Sequence, residues 1–361
     1  MGIKSSDFTK LLLKWHKDQN NRSMPWKGEK DPYKVWLSEI ILQQTRVEQG
    51  LAYYNRFVSA FPDLRALARA PEQKVFKLWE GLGYYNRCRN LIETARMIVR
   101  EHGGQFPSTY EEIRKLKGVG PYTAAAIASF AFDLPHAVVD GNVERVLSRY
   151  FGISTPVDTA AGKRLYAGLA SSLLARDQPG AYNQSIMDFG AMICKPRNPL
   201  CPSCVQRQDC QARIHGWTEM LPVKGKGKEK RRRWLNYLFV ETPEEQVYIR
   251  ERKGKDIWQG LHELVLWETD GPLKEEEISG SLPAKELFGK GKLTVKHISR
   301  PYRQELSHQT IEGFFIIIRL EKAPRSLGNY FPVRKKELLK YAFPKFINAW
   351  LLDPSPVPSL F

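Results

Sequence analysis

Four cysteines, Cys194, Cys201, Cys204 and Cys210, stand in the pattern C-x6-C-x2-C-x5-C, confined to seventeen residues. Loops this short let four sulfurs point at one spot, so the pattern ties this part of the fold to a single metal centre. From spacing alone, a structural zinc with four thiolate ligands and an iron-sulfur cluster are both open. Disulfides rank third, because the fifth cysteine, Cys88, is far away in a stretch of helical pattern and nothing marks the chain as secreted.

A chain of 361 residues exceeds the usual single-domain size, so two domains, each with its own core, are expected. The net charge of +17 bounds the partner to a polyanion, with DNA or RNA ahead of an acidic membrane surface. Apolar runs are far too short to cross a bilayer. Lys4 and Lys10 precede an amphipathic Leu11-Leu12-Leu13 stretch that has neither a long apolar core nor a small-residue cleavage site, so no secretory leader is expected. Met1, Gly2 and Ser6 satisfy the permissive myristoylation pattern, which is read as coincidence.

Residues 1–220 carry apolar side chains at three- and four-residue spacing, with Asp-Pro and Ser-Thr starts, and read as an all-helical domain. Residues 221–233, Leu-Pro-Val-Lys-Gly-Lys-Gly-Lys-Glu-Lys-Arg-Arg-Arg, read as a basic linker, either a solvated tether or a segment lying on phosphate. Strand-like runs follow at Trp234–Glu241, Gln246–Arg250, Leu264–Trp267, Leu293–Ile298 and Gly313–Leu320, with a final helix predicted over Arg334–Leu352. The segment 234–361 is therefore an α+β domain.

Within the helical part, Leu116-Lys-Gly118-Val119-Gly120-Pro-Tyr122 combines two glycines for a tight turn with a proline suited to a helix start. Amides at such a turn can hold a DNA phosphate without reading its base. The segment resembles a helix-hairpin-helix, although a plain helix-loop-helix has the same local pattern. Upstream, a helix beginning at Asp31-Pro32 places Val35, Trp36 and Leu42 on or near the face of Glu39, where desolvation would raise the carboxyl pKa and make a general acid. A surface glutamate is the ordinary alternative. Asp140 follows an apolar run and precedes a helix starting near Asn142, so it should stay ionised at a helix amino terminus. Two carboxylates under opposed pKa pressures suit glycosidic bond cleavage, one protonating the leaving group while the other faces an oxocarbenium ion.

These segments resemble the adenine DNA glycosylases, the MutY family of the endonuclease III superfamily. The resemblance covers most of residues 20–215 through Met24-Pro-Trp26, Trp36-Leu-Ser-Glu39, Gln43-Gln44-Thr45, Gly81-Leu-Gly-Tyr84-Tyr85, Gly118-Val-Gly120, Asp140-Gly-Asn142-Val143, Asn183-Gln184 with Met187-Asp188, and the cysteine loop. It implies a [4Fe-4S] cluster on the four cysteines rather than zinc. It also implies that Glu39 protonates adenine at N7, that Asp140 stabilises or traps the sugar cation, and that Tyr122 and Asn142 support this geometry. Arg22, Trp26 and Gln184 match the adenine pocket, and Gln44 and Tyr84 match side chains that fill or wedge the base stack when a base is flipped.

Tyr122 occupies the place where endonuclease III and the oxoguanine glycosylases carry an attacking lysine amine. A phenol forms no Schiff base, so the resemblance implies a monofunctional glycosylase that leaves an abasic site. Thymine mismatch glycosylases of the same superfamily can also carry tyrosine here, whereas Glu39 favours a purine leaving group. Residues from about 233 to 361 resemble the MutT-like domain of the family, a Nudix-type fold, with Trp258-Gln-Gly260-Leu-His-Glu263 in place of its Gly-Leu-Trp-Glu-Phe stretch. The acidic run Lys274-Glu-Glu-Glu277 lacks the Nudix metal-binding box, which implies recognition without hydrolysis. Leu306-Ser307-His308 matches a Phe-Ser-His loop that contacts 8-oxoguanine, with the aromatic replaced. The implied partner is double-stranded DNA holding 8-oxoguanine:adenine or guanine:adenine mispairs. The expected protein is a monomer of the bacterial cytoplasm, bound to the nucleoid through DNA.

Overall fold

The computed structural model describes residues 5–225, 230–274, 282, 293–323 and 327–353, and the chain divides into two compact units. The first contains residues 1–69 and 90–226, and the second residues 70–89 and 227–361. Each is built around its own core.

In the first unit, the motifs singled out in the sequence hang on helices whose starts the sequence marks. Helix α1 spans Ser5–Gln19, α2 Pro32–Leu42, α3 Val47–Ala60 and α4 Leu64–Arg69. Later come α6 Asn86–Glu101, most of it in this unit, α7 Tyr110–Lys115, α8 Pro121–Phe132, α9 Gly141–Phe151, α10 Ala160–Leu173, α11 Pro179–Met192 and α12 Gln211–Ile214. Asp31, Thr109, Asp140 and Thr159 cap α2, α7, α9 and α10, each accepting a backbone N–H of the first turn. The main core joins Phe8, Leu12 and Trp15 of α1, spaced by four and three, to Val143, Leu147 and Tyr150 of α9 and Tyr182, Ile186 and Phe189 of α11. Helices α2 and α8 are buried along most of their length, which explains why neither shows a clean polar face.

The second unit contains α5, Glu72–Trp79, and an eight-stranded mixed sheet. Its strands are β1 Arg231–Glu241, β2 Gln246–Glu251, β3 His262–Thr269, β4 Leu293–Ile298, β5 Tyr302–Glu305, β6 Gln309–Gly313, β7 Phe315–Leu320 and β8 Phe331–Arg334. The main path runs β4-β7-β1-β3-β2-β8, with β6 beside β1 and β5 beside β6. Strands β6 and β7 both run parallel to β1, first against Arg231–Trp234 and then against Tyr237–Glu241. Between them the chain passes so close to β1 that a Cβ on Gly313 would lie 2.0 Å from the carbonyl oxygen of Leu235, and only glycine fits.

Four expectations change. The predicted strand Gly313–Leu320 is divided at Phe314, which donates its backbone N–H to the Asn236 side-chain oxygen at 3.1 Å. The predicted helix over Arg334–Leu352 is instead the end of β8, a 3-10 segment Lys335–Lys340 and a shorter helix Lys345–Leu351, here α13, because Pro344 stands at its amino-terminal cap and interrupts the ladder. Strand β1 starts at Arg231, three residues inside the expected linker. Arg233 is held there by Asp256 and Glu268 at 2.8 Å. Residues 70–89, expected with the helical domain, group with the sheet. The acidic run 275–277 lies outside the described residues.

Candidate active site

A cleft of about 690 Å³ in the first unit is lined by Glu39, Tyr122, Asp140 and Asn142 together with Arg22, Trp26 and Gln184. Seven side chains from five separate sequence segments therefore meet at one place. Glu39 reaches it from the middle of α2, beside Val35 and Leu42, and is 7% exposed. Trp36, expected on the same face, does not line the cleft. It is fully buried against the rings of Tyr33 and Phe106.

Burial raises the Glu39 carboxyl from its ordinary value of 4.5 to about 7; a hydrogen bond from Tyr122 opposes the shift and the charge of Asp140 adds to it. Burial, followed by the charges of Glu39 and Asp140, holds the Tyr122 phenol protonated well above its ordinary range. Tyr122 sits in the first turn of α8 and also donates to the Met187 sulfur at 3.5 Å.

Asp140 is the amino-terminal cap of α9. Its Oδ1 accepts the backbone N–H groups of Asn142 at 2.9 Å and Val143 at 2.8 Å, and its Oδ2 accepts the Asn142 side-chain N–H at 2.8 Å. The three bonds together fix the plane of the carboxylate. Asn142 is itself fixed, since Arg145 Nη2 donates to its Oδ1 at 2.9 Å. The segment entering Asp140 is anchored by Asn183, fully buried on α11, which accepts from Val138 N at 3.1 Å and donates to His136 O and Ser129 Oγ at 2.8 Å.

Two contributors carried no assigned role in the sequence, although Asp188 stands in one of the matched motifs. Asp188, also fully buried on α11, accepts from Arg22 Nη1 at 2.8 Å and Asn20 Nδ2 at 2.8 Å, and pairs with Lys27 at 3.3 Å. His16 lines the cleft and exchanges a hydrogen bond with Asn20; burial first, and then Lys27, lowers its pKa. These partners lie up to 168 residues apart in sequence, and no local pattern marks such a pairing.

Gln44 and Tyr84 do not line the cleft. Both are exposed with left-handed backbones, φ 57 and φ 50, an uncommon conformation outside glycine. Gly118, at φ 80, makes the turn between α7 and α8, and Gly120 caps α8, while Val119 is buried beneath them and donates to Leu116 O. A Cβ at Gly118 would meet the Asn90 side chain at 2.9 Å. This is the hairpin that the sequence predicts. Ser307 and His308 are exposed at the tip of the β5–β6 hairpin, closed by Leu306 N donating to Gln309 O at 2.8 Å.

Cys194, Cys201, Cys204 and Cys210 are free thiols, and three of them pack on the core shared by α1, α9 and α11. Burial raises the thiols of Cys194, Cys204 and Cys210, Cys204 to about 12, and each also feels its neighbours among the four. Arg149, buried on α9, donates to Cys194 Sγ at 3.5 Å and to the carbonyls of Lys195, Pro196 and Leu221. Four free thiols close enough to feel one another's charge, with the buried Arg149 guanidinium on Cys194, have the chemistry of a thiolate-bound metal group that needs charge compensation. Among the described residues, no three His, Cys, Asp or Glu side chains gather as ligands of a single metal ion.

Residues 37–166, which include Glu39, Gly118, Gly120 and Asp140, match the HhH-GPD superfamily of base excision DNA repair proteins. The helical part is similar in fold to a thermostable thymine-DNA glycosylase (TM-score 0.54, 30% identity, 58% of this chain and 96% of that one) and to endonuclease III in a non-covalent DNA complex (0.51, 20%, 59% and 98%). Among curated proteins it is similar to the adenine DNA glycosylase of Buchnera aphidicola subsp. Schizaphis graminum, 36% identical over 258 residues, 70% of this chain and 73% of that one. Human adenine DNA glycosylase is 42% identical over 228 residues, 60% of this chain and 41% of that one. The chain belongs to the adenine DNA glycosylase family.

Proposed function

We propose that the protein is a hydrolytic N-glycosylase of base excision repair that removes adenine from double-stranded DNA where it faces 8-oxoguanine or guanine. The observation that carries this reading is Glu39, a buried carboxyl poised near pH 7 in the same cleft as a carboxylate locked by three hydrogen bonds. A purine leaves readily only when protonated, and Glu39 is the acid placed to do it.

In the mechanism, the target adenine is flipped into the cleft, where Arg22, Trp26 and Gln184 hold the base, while Gln44 and Tyr84 occupy or wedge the stack it left. Glu39 gives its proton to N7, the glycosidic bond breaks with its electron pair going to the base, and positive charge develops on the sugar. The Asp140 carboxylate stabilises that cation or bonds to it, and water then completes hydrolysis. Tyr122 and Asn142 keep the two carboxyl groups in place. No amine stands at the position of Tyr122, so the product is an abasic site with an intact strand. Gly118, Val119 and Gly120 hold the DNA backbone.

Cys194, Cys201, Cys204 and Cys210 would hold a [4Fe-4S] cluster. When bound, it supplies iron–thiolate bonds that pin the loop following α11. Ser307 and His308 contact the 8-oxoguanine opposite the target. Among the described residues no helix is long and apolar enough to cross a membrane, and the net charge of +17 suits DNA. The protein acts as a monomer in the bacterial cytoplasm.

The test is release of free adenine from an 8-oxoguanine:adenine duplex, with strand scission appearing only after alkali. Release of thymine from a guanine:thymine duplex with adenine left untouched would instead support the activity named for the thymine-DNA glycosylase relative.

A further inference from the structure

We propose that Glu80 is a positioning residue for Tyr84, so that the unit carrying the 8-oxoguanine-facing hairpin also aims the side chain that enters the base stack. This deepens the function proposed above and rests on its reading of Tyr84 as a wedge.

Tyr84 lies in a loop with three left-handed residues, Gly81 at φ 88, Gly83 at φ 79 and Tyr84 itself at φ 50. Its side chain is 45% exposed, so packing does not hold the strained backbone. The loop is closed internally: Trp79 Nε1 donates to Gly83 O at 3.0 Å, and Gly81 N to the Tyr85 hydroxyl at 3.1 Å. The Arg87 guanidinium stacks between the rings of Trp79 and Tyr84, 5.3 Å and 5.2 Å from their centroids. Such a loop is rigid in itself, and its aim depends on whatever fixes its two ends.

Both ends are fixed by the carboxyl-terminal part of the chain. Glu80, the residue between α5 and the loop, accepts at Oε1 from the backbone N–H of Phe343 at 2.8 Å and from Asn348 Nδ2 at 2.9 Å. Its Oε2 accepts from Lys77 Nζ at 2.6 Å, and Lys77 also donates to Tyr341 O at 3.1 Å. Beyond the loop, Arg89 Nη2 donates to Gln259 O at 2.6 Å. Gly260, at φ +86, lies so close to Phe76 of α5 that an added Cβ would be 2.8 Å from the ring. Residues 70–89 are thus built into the unit that also holds Ser307 and His308, although they fall inside the sequence of the glycosylase domain. Among these contacts Glu80 is the one adjoining the loop that gathers two donors from over 260 residues away. Removing its carboxylate frees the loop's leading end while leaving the cleft untouched.

The experiment uses full-length Glu80→Ala, Glu80→Gln, Asn348→Ala and Tyr84→Ala. Single-turnover adenine excision is measured from a paired 8-oxoguanine:adenine duplex and from the same pair set in a bubble of mismatched neighbours, where the stack is already open. Glu80→Ala is expected to slow excision roughly tenfold on the paired duplex, a part of the unstacking free energy, and less than about twofold on the bubble. Asn348→Ala should act in the same direction. Glu80→Gln should recover most of the rate on the paired duplex, because its amide oxygen still accepts from Phe343 and Asn348 and only the bond from Lys77 is lost. Equal loss on both substrates, or no loss on the paired one, overturns the proposal, and Asn348→Ala decides it by the same comparison if Glu80→Ala does not fold. Should Tyr84→Ala itself lose nothing on the paired duplex, the wedge reading falls and the proposal with it. Should Tyr84→Ala be slow while Glu80→Ala matches wild type, the proposal alone falls.

Discussion

Arg22 Nη1 donates to Asp188 Oδ1 at 2.8 Å, and Asp188 is fully buried. One carboxylate thus sets the position of a guanidinium at the rim of the cleft and neutralises Lys27 beside it. Both cations stay partly exposed when the carboxylate is removed, so Asp188→Ala is expected to lose about 1.5 to 3 kcal/mol of stability, the range for a hydrogen bond to a charged group. Denaturant unfolding measures it. Asp188→Asn, which keeps the shape, should fold and show weaker binding of lesion duplex. Wild-type affinity in that variant would mean that Arg22 needs no fixed partner.

Glu39 sets a pH dependence in two observables. In the proposed mechanism the acid form acts, so single-turnover excision should fall as pH rises through about 7, and Glu39→Gln should be nearly inactive with no such limb. The general acid is worth roughly 10²- to 10⁴-fold. Stability follows the same group with a definite sign. The folded-state pKa is raised, so the fold binds the proton more tightly than the unfolded chain, and the penalty for ionised Glu39 is absent below 4.5 and complete above about 7. Wild type should lose about 3 kcal/mol relative to Glu39→Gln across that window. Parallel stability curves for the two proteins would refute the buried acid.

The site was legible where chemistry and local structure share a few residues. Asp140 precedes a helix that it caps, Glu39 stands among apolar residues of α2, and Gly118-Val-Gly120-Pro writes its own turn, so each could be read from a short window. The roles of Asp188, Asn183 and His16 could not, although the first two stand in matched motifs. Their roles arise from partners that folding alone brings together, and buried polar residues on an apolar helix have no periodicity of their own. The attachment of residues 70–89 to the second unit is of the same kind, resting on Glu80 and Gly260, which look ordinary in sequence. In the sheet, alternation located the strands, but Pro344 and the close approach at Gly313 ended elements that apolar runs alone would have continued.

In the proposed mechanism Tyr122 is what separates base removal from strand cleavage. It stands in the first turn of α8, hydrogen-bonded to Glu39 and within the cleft that holds Asp140. Tyr122→Lys places an amine there, which should attack the sugar carbon and give some cleavage at the abasic site. The variant should become trappable on DNA by borohydride, while wild type should cut only with alkali.

The cysteine loop makes a prediction with a readout independent of activity. Protein purified without oxygen should be brown and contain about four irons per chain. Zinc in protein from an iron-replete host would decide for the other reading of the spacing. Cys201→Ser should weaken DNA binding more than it slows excision of bound substrate, because the loop lies outside the cleft and presents the exposed Arg197.

Lesion preference separates the roles of the second unit. Ser307 and His308 are exposed at a hairpin tip whose base is braced by Glu305, which accepts from Lys230 and Thr310 at 3.0 Å. Replacing both with alanine should reduce binding to 8-oxoguanine:adenine more than to guanine:adenine, by ~1 to 3 kcal/mol if one or two base contacts vanish. Leu306→Phe, which restores an aromatic at the neighbouring position, should sharpen that preference. A chain ending at Gly225 should behave differently from the double variant. It loses the hairpin and also every carboxyl-terminal partner of residues 70–89, so excision from paired DNA should slow along with the loss of preference. Truncated protein that loses preference alone, and works on paired duplex at the full-length rate, would show that the loop bearing Tyr84 keeps its aim without the sheet.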